Sequence, residues 1–300
     1  MNPWLPAAPC TPLGCAGHDG PARPRPLAAA LLCAGCALLL AGALVAPIAP
    51  LLGAVRRERL IRRWSLGVVR AFGVRVRITG APPPPAATPG ETGTLVVANH
   101  VSWLDVPLVA AVLPGRMLAK SEIADWPLLG PLAAAGGTLF VERDRLRALP
   151  RTVREIAGAL REGARVVAFP EGTTWCGRGG GRFGPAVFQA AIDTNAEVRP
   201  VRIRYWVRPP RGTGHDGRAS GPGGGAPAED HAPAGAAAFV GDDPLTASLW
   251  RVVTAAGLTA EIQVLPPVPA QGRDRRSLAR LVQTAVASDS ANRSPESVHH

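Results

Sequence analysis

The stretch of sequence that decides the predicted fold is residues 94–105, TLVVANHVSWLD. Its first five residues form an apolar run that is typical of a buried strand. The residues from Ser102 onward have the pattern of a helix start. Asn99 and His100 therefore lie on a strand-to-helix turn, and Asp105 lies in the first turn of the helix.

Further strand patterns occur on both sides of this stretch. Before it, Val74, Val76 and Ile78 alternate with polar residues, which indicates a half-buried strand. After it, short apolar runs occur at residues 137–141, 165–169, 198–205 and 259–265. Helical patterns separate these runs. Strands that alternate with helices predict an α/β fold: a central sheet, mostly parallel or mixed, flanked by helices.

The composition limits the classes of function. Of the 300 residues, 47% are hydrophobic and 18% are charged, which excludes a wholly disordered chain. Five cysteines are too few for a disulfide scaffold. The 33 basic and 22 acidic residues give a net charge of +11, which predicts an anionic partner. No nucleic-acid-binding module is recognisable and the arginines are spread along the chain, so anionic lipid is the favoured partner and nucleic acid is not expected.

An apolar segment near the N terminus predicts membrane association. Residues 1–26 are rich in Pro, Ala and Gly and are expected to be a disordered leader. Residues 27–45 contain no charge and no proline, and a helix of this length spans roughly 28 Å. We therefore expect residues 27–53 to be a transmembrane or membrane-anchoring segment, with a cleaved signal peptide or an interfacial hairpin as alternatives. Because five arginines follow, the positive-inside rule predicts that the next domain faces the cytoplasm from the inner (plasma) membrane of the cell.

The remainder is predicted to be one domain, residues 56–287. Its first helix, residues 60–72, has apolar residues at helical spacing among arginines, which fits either a basic helix on the membrane surface or a core-facing helix. A Gly- and Pro-rich stretch, residues 209–238, is expected to be a flexible insertion. Residues 288–300 are expected to be a disordered tail.

One histidine is a candidate for proton transfer. Of the six histidines, only His100 lies in a segment with a regular pattern, so no multi-histidine metal site is expected. If the chain folds back after the turn, the Asp105 carboxylate can accept a hydrogen bond from the imidazole. Such a pair fixes the tautomer and stabilises the imidazolium that forms when the other nitrogen takes a proton. A structural histidine beside a helix-capping aspartate is the alternative, and the pair alone does not decide.

Two further features fall where α/β proteins bind ligands, at strand ends. Residues 169–173, FPEGT, follow an apolar run and predict a tight turn that carries the Glu171 carboxylate. The strand pattern at 137–143 ends in an acid and Arg143, and this arginine belongs either to a surface ion pair or to a phosphate site. Lys120 is the only lysine in the chain.

Taken in order, these features resemble the motifs of the glycerolipid acyltransferases, whose best known members are the 1-acyl-glycerol-3-phosphate (lysophosphatidic acid) acyltransferases. The resemblance rests on residues 99–105, 137–143, 169–173 and 198–201. It implies acyl transfer from a thioester, on coenzyme A or acyl carrier protein, to the hydroxyl of a lysophospholipid in the membrane, with no metal or other cofactor. It also implies that His100 is the general base and that Asp105 orients it. The substrate-binding positions that it implies are Lys120, Arg143, Glu171, Gly172 and Thr173.

One departure from the family pattern bears on the acceptor. Many members that accept lysophosphatidic acid have Arg-Ser after FPEGT, where this chain has Thr174-Trp175. The expected acceptor is 1-acyl-glycerol-3-phosphate, which gives phosphatidic acid. The Thr174 form also resembles relatives that acylate other lysolipids, and lyso-ornithine lipid is the alternative acceptor. A membrane-anchored lipid-binding scaffold without catalysis is the alternative of another class, although the presence of both His100 and Asp105 argues against it.

Overall fold

The computed structural model describes residues 7–18, 20–81, 90–127, 129–142, 146–207 and 234–288. Within these residues, the strands are β1 (Arg75–Gly80), β2 (Thr94–Ala98), β3 (Arg116–Lys120), β4 (Leu139–Val141), β5 (Val166–Ala168), β6 (Glu197–Val207) and β7 (Leu258–Val264). The α-helices are α1 (Pro12–Cys15), α2 (Arg25–Val45), α3 (Ala54–Ala71), α4 (Asp105–Val112), α5 (Leu129–Ala135), α6 (Leu149–Arg161), α7 (Ala186–Thr194), α8 (Leu245–Thr254) and α9 (Arg275–Ala287).

The seven strands form one sheet in the order β1-β7-β6-β2-β5-β3-β4. Neighbouring strands are parallel, except that β6 and β7 are antiparallel. The predicted α/β fold, a mostly parallel sheet flanked by helices, is confirmed. Because β2, β5, β3 and β4 run in the same direction, their carboxyl ends lie at one edge of the sheet, and the candidate site residues follow these ends.

The central strand β2 is buried on both faces. Val96 and Ala98 pack into a core that includes α3, α4 and α8. Leu95 and Val97 point to the opposite face, into a core that includes α6, α7 and α9. A parallel strand covered on both faces needs apolar side chains at every position, which explains the continuous apolar run in the sequence. The turn after β2 therefore starts from a rigid support.

The predicted strands are confirmed, but the sequence analysis missed β3. This strand begins and ends with a charged residue, Arg116 and Lys120, and its side chains are at most partly buried. The three apolar residues between them are too few to stand out as a strand pattern. β3 lies between β5 and β4 in the sheet, so it brings Lys120 to the edge where β2 and β5 end.

The predicted disordered leader is wrong for the part of it that the structure describes. The Thr11 side chain caps α1, and Cys10 is buried. Farther along, the backbone N–H of Arg23 donates to the Thr254 carbonyl at 2.7 Å. A Pro- and Gly-rich segment docks here because the domain supplies partners for its backbone groups. The first six residues and Asp19 lie outside the described residues.

The described end of the predicted flexible insertion is also ordered. Gly235–Ala237 form a buried 3₁₀ turn, and the N–H of Ala234 donates to the Tyr205 carbonyl at 2.8 Å. The rest of the predicted insertion, residues 209–233, lies outside the described residues. So do residues 289–300, which make up nearly all of the predicted tail.

Helices α2 and α3 form an antiparallel hairpin. Among the described helices, α2 is the one that is long and apolar enough to cross a membrane. The indole N–H of Trp64 on α3 donates to the Leu38 carbonyl on α2 at 2.9 Å. Farther from the tip, the Phe72 ring lies so close to Gly35 that a side chain at that position would collide with it.

Both ends of the hairpin lie on the same side. The guanidinium of Arg23, just before α2, donates to the carbonyls of Gly73, just after α3, at 2.6 Å and of Val253 at 2.8 Å. A single crossing by α2 would put Arg23 and Gly73 on opposite sides of a bilayer, and α3 carries too many arginines to cross back. Of the interpretations open for residues 27–53, the structure supports the interfacial hairpin. The positive-inside rule requires a crossing, so it gives no orientation here.

Helix α3 combines the two roles that its sequence pattern allows. Val68 and Val69 are fully buried in the core, as in a core-facing helix. Its N-terminal part exposes four arginines to the surroundings: Arg56, Arg57, Arg59 and Arg63.

The tip of the hairpin exposes large apolar side chains. Each is at least 44% exposed: Leu40, Leu44, Val45, Ile48, Leu51 and Val55. The exposed arginines of α3 follow directly. Apolar side chains that enter one leaflet beside arginines that meet lipid phosphates are the pattern of an interfacial anchor.

We expect the double substitution Leu44→Asp and Leu51→Asp to weaken membrane binding. Each leucine contributes about 1.5–3 kcal/mol when its side chain leaves water, so the pair should lower partitioning by at least about a hundredfold. Flotation with anionic liposomes measures this. The matched control is Leu13→Asp on α1, because Leu13 is fully exposed but lies outside the hairpin. Undiminished binding of the double variant would show that the tip is not the anchor.

Candidate active site

The turn after β2 folds back onto the start of α4. His100 Nδ1 lies 2.8 Å from Asp105 Oδ2. The same oxygen accepts the backbone N–H groups of Val101 at 2.6 Å and Ser102 at 2.8 Å. The predicted contact between the imidazole and the carboxylate is therefore present, and the carboxylate also fixes the backbone of the turn.

The other oxygen of Asp105 has a partner that the sequence analysis missed. The Tyr205 hydroxyl, on β6, donates to Asp105 Oδ1 at 2.6 Å, and the Asp105 side chain is fully buried. Burial raises the pKa of Tyr205 well above its ordinary value, and the charge of Asp105 raises it further, so the phenol stays protonated and donates. Tyr205 is the only tyrosine of the chain, but its strand also carries three arginines, so no sequence signal distinguishes it as the partner of Asp105.

The hydrogen-bond network assigns the tautomer of His100. Since both Asp105 oxygens accept, Nδ1 carries the proton and Nε2 keeps its lone pair. The imidazole stacks on the Phe169 ring, with the centroids 4.2 Å apart and the planes 21° from parallel. The His100 side chain is 21% exposed. The imidazole is thus held in one orientation and keeps part of its surface accessible.

Two neighbouring segments, β6 and the loop after β5, form hydrogen bonds with the turn. The Asn99 side chain pairs with the backbone of Ile203 on β6, donating to its carbonyl at 2.9 Å and accepting its N–H at 2.8 Å. On the other side, the backbone N–H of Trp175 donates to the His100 carbonyl at 2.8 Å.

Glu171 is buried beneath the turn. One of its oxygens accepts the backbone N–H of His100 at 2.7 Å, and the other accepts that of Gly181 at 3.0 Å. Burial raises the pKa of Glu171 to about 7. Next to it, Gly172 has φ +73°, a conformation that favours glycine, and its N–H closes a tight turn onto the Phe169 carbonyl at 3.1 Å. These contacts make Glu171 a positioning residue, and its role in acceptor binding stays a prediction.

The other predicted site residues have different positions. Lys120 ends β3 and is exposed, two strands from β2, which is roughly 10 Å at about 4.8 Å per strand. Within the described part of the chain, no carboxylate forms an ion pair with it. Thr173 is partly exposed on the turn after β5. Arg143 lies outside the described residues, directly after Glu142 and the end of β4.

Comparison with known proteins connects this geometry to a family. The family model described as Acyltransferase matches residues 75–204. The lyso-ornithine lipid O-acyltransferase of Pseudomonas aeruginosa is 35% identical over 231 residues, which are 77% of this chain and 78% of that protein. The 1-acyl-sn-glycerol-3-phosphate acyltransferase of Neisseria meningitidis is 32% identical over 231 residues, with 77% and 80% covered. The chain belongs to the acyltransferase family.

A solved acyltransferase has the same fold. The crystal structure of the 1-acyl-sn-glycerophosphate (LPA) acyltransferase from Thermotoga maritima matches with a TM-score of 0.60 and 20% identity, covering 87% of this chain and 91% of that one. The acyltransferase segment includes His100, Asp105 and Glu171 but ends one residue before Tyr205. The partner that completes the Asp105 network therefore lies just outside the matched segment.

The two residues after the motif at 169–173, Thr174 and Trp175, contact neighbouring segments. The Thr174 hydroxyl donates to the Phe239 carbonyl. The Trp175 ring lies against Gly181, where a side chain would collide with it. Neither residue supplies a cation.

The raised pKa of Glu171 predicts how stability depends on pH. The pKa is about 7 in the folded protein against an ordinary value of 4.5, so the folded state holds the proton more tightly. Its stabilising effect is complete below about pH 4.5 and is lost as the pH rises through about 7. We expect the free energy of unfolding to fall by about 3 kcal/mol over this interval, and we expect Glu171→Gln, which stays neutral, to remove that fall.

Urea unfolding in detergent at several pH values measures this contribution. The matched control is Glu155→Gln, because Glu155 pairs with Arg151 on the surface of α6 and should leave the pH dependence as in wild type. A Glu171→Gln variant that kept the full fall would contradict the protonation that we assign to Glu171.

Proposed function

We propose that this acyltransferase moves an acyl chain from an acyl thioester to the free hydroxyl of a lysolipid at the membrane surface. The observation that carries the proposal is the His100–Asp105 pair, in which a buried carboxylate holds Nδ1 and leaves Nε2 free to accept a proton. The names of the relatives support a lysolipid acceptor. The donor is a thioester of coenzyme A or acyl carrier protein, which serves as a co-substrate, and no further cofactor takes part in the steps below.

The reaction needs one proton to move twice. An alcohol is a weak nucleophile at neutral pH, and His100 Nε2 removes its proton as the oxygen attacks the thioester carbonyl. The Asp105 carboxylate stabilises the imidazolium that results. When the tetrahedral intermediate collapses, the C–S bond breaks and the leaving thiolate takes the proton from Nε2. The products are an ester and a free thiol, and His100 returns to its starting state.

Lyso-ornithine lipid is the acceptor that we favour, in place of the 1-acyl-glycerol-3-phosphate expected from sequence. Relatives that accept the phosphate often have an arginine at position 174, whereas here the Thr174 hydroxyl is bound to the Phe239 carbonyl. The Pseudomonas aeruginosa relative supports this choice. The exposed ammonium of Lys120 suits the carboxylate of an ornithine headgroup.

1-acyl-glycerol-3-phosphate is the second candidate. The Neisseria meningitidis relative supports it, and Lys120 suits a phosphate as well as a carboxylate. The choice between the two acceptors therefore depends on whether further cations at this edge, such as Arg178 and Arg182, turn toward the headgroup.

The membrane arrangement follows from the hairpin. The exposed tip of α2 and α3 inserts into one leaflet, and the arginines of α3 meet the phosphates beside it. The domain faces the cytoplasm, because the two thioester carriers occur there. A substrate lipid then reaches the edge of the sheet from the same leaflet.

An acyl-transfer assay on membranes that contain the full chain tests this function. We expect His100→Ala to lower the rate by about 10²–10⁴-fold, the contribution of a general base. His18→Ala is the matched control, because His18 lies in the N-terminal segment, outside the site, and its ring pairs with the Pro21 carbonyl. Near wild-type turnover by a folded His100→Ala protein would refute the mechanism.

The same assay separates the acceptors and donors. Wild type is offered lyso-ornithine lipid and 1-acyl-glycerol-3-phosphate in parallel, each with acyl-coenzyme A and with acyl carrier protein. We expect faster His100-dependent transfer to lyso-ornithine lipid. Faster transfer to the phosphate would reverse the choice of acceptor, and no transfer to any lysolipid by folded, membrane-bound protein would support the scaffold alternative.

A further inference from the structure

Three cysteines that the acyl-transfer mechanism does not use lie together beside the active-site loop. The sulfur atoms of Cys10, Cys15 and Cys176 all lie within 4.8 Å of one another. Cys10 and Cys15 come from the N-terminal segment, and Cys176 follows the motif loop, more than 160 residues later in the chain. Cys10 is 8% exposed and Cys176 is 7% exposed.

The local structure brings the three thiols together from two directions. Cys10 precedes α1 and Cys15 is its last residue, with four residues between them, a spacing that is common among the ligands of zinc sites. The backbone carbonyls of Cys15 and Gly17 approach Gly235 so closely that a side chain there would collide with them. The N-terminal segment is thus docked on the 3₁₀ turn beside Cys176.

The arrangement fits a metal ion better than a disulfide. A disulfide joins two sulfurs and would leave the third thiol unexplained. Thiolates about 2.3 Å from a tetrahedral zinc ion lie about 3.8 Å from one another, a spacing that small side-chain rotations can reach from the observed one. Soft thiolate ligands select cations such as Zn²⁺ and Cu⁺.

We infer that Cys10, Cys15 and Cys176 bind one soft cation, Zn²⁺ or Cu⁺, as thiolates. Binding releases the thiol protons to solvent, and no electron is transferred. The partly exposed side of the cluster, at Cys15, leaves a fourth position for water.

A bound cation would link the N-terminal segment to the loop after β5, which contacts the turn that carries His100. Cys176 is next to Trp175, whose N–H holds the His100 carbonyl. Around the cluster, Ala238 and Val240 pack against the cysteines and connect them to Phe239, whose carbonyl accepts from Thr174. The inference does not rest on the proposed acceptor or on the acyl-transfer reaction.

Titration of the reduced full-length protein in detergent, without oxygen, tests the site. With Co²⁺ as the probe, we expect a thiolate-to-metal charge-transfer band that saturates at about one equivalent. Competition against a chromophoric chelator gives the affinity for Zn²⁺ and Cu⁺. We expect Cys10→Ser and Cys176→Ser each to weaken it by at least about tenfold.

The matched control is the double variant Cys33→Ser and Cys36→Ser. These two cysteines lie on α2, Cys33 is exposed, and neither belongs to the cluster. We expect this variant to bind the metal as wild type does, and elemental analysis after loading gives the same comparison without a spectrum.

Several results would overturn the inference. One is a wild-type protein that binds less than one equivalent of Co²⁺, Zn²⁺ and Cu⁺, a measurement that does not depend on how any variant folds. Another is binding that disappears in the Cys33→Ser and Cys36→Ser control but persists in Cys176→Ser. A Cys10–Cys176 disulfide in the purified protein, with no metal bound after its reduction, would assign the cluster to redox chemistry instead.

Discussion

The structure of the site depends on one buried charge, the carboxylate of Asp105. An ionised carboxylate removed from water costs several kcal/mol unless hydrogen bonds replace its hydration. Here four donors do so: the imidazole of His100, the backbone N–H groups of Val101 and Ser102, and the hydroxyl of Tyr205. Any movement of the turn away from β6 would take the Tyr205 hydroxyl away from Asp105 Oδ1 and leave that oxygen without its hydrogen bond. The position of His100 is therefore enforced by the cost of leaving an oxygen of the buried Asp105 carboxylate without a hydrogen bond.

Packed side chains connect the turn that carries His100 to the α2–α3 hairpin. Trp103, two residues before Asp105, packs edge-on against the Phe72 ring at the end of α3, with centroids 5.0 Å apart. Phe72 in turn lies against Gly35 of α2. A continuous set of packed side chains thus runs from the turn to the base of the anchor. This packing fixes the position of the turn relative to the α2–α3 hairpin.

Sequence reasoning could predict the structural features that have local causes. The contact of His100 with Asp105 follows from a turn of five residues, and the burial of β2 follows from its own apolar run. What sequence reasoning missed depends on distant pairings. Tyr205 meets Asp105 across 100 positions, and the N-terminal segment docks because Gly235, in a stretch expected to be flexible, lets its backbone approach.

The hairpin of α2 and α3 also depends on contacts that sequence reasoning could not predict. Composition predicts that α2 is a membrane segment, but only its packing against α3 and the Arg23–Gly73 hydrogen bond distinguish a hairpin from a crossing.

The geometry of the site requires that Asp105 hold His100 with its proton on Nδ1. The most direct test is the ¹⁵N NMR spectrum of histidine-labelled protein, with His100 assigned by comparison with His100→Gln. We expect the Nδ1-protonated tautomer alone; a proton on Nε2, or a mixture of tautomers like that of free imidazole, would contradict this assignment.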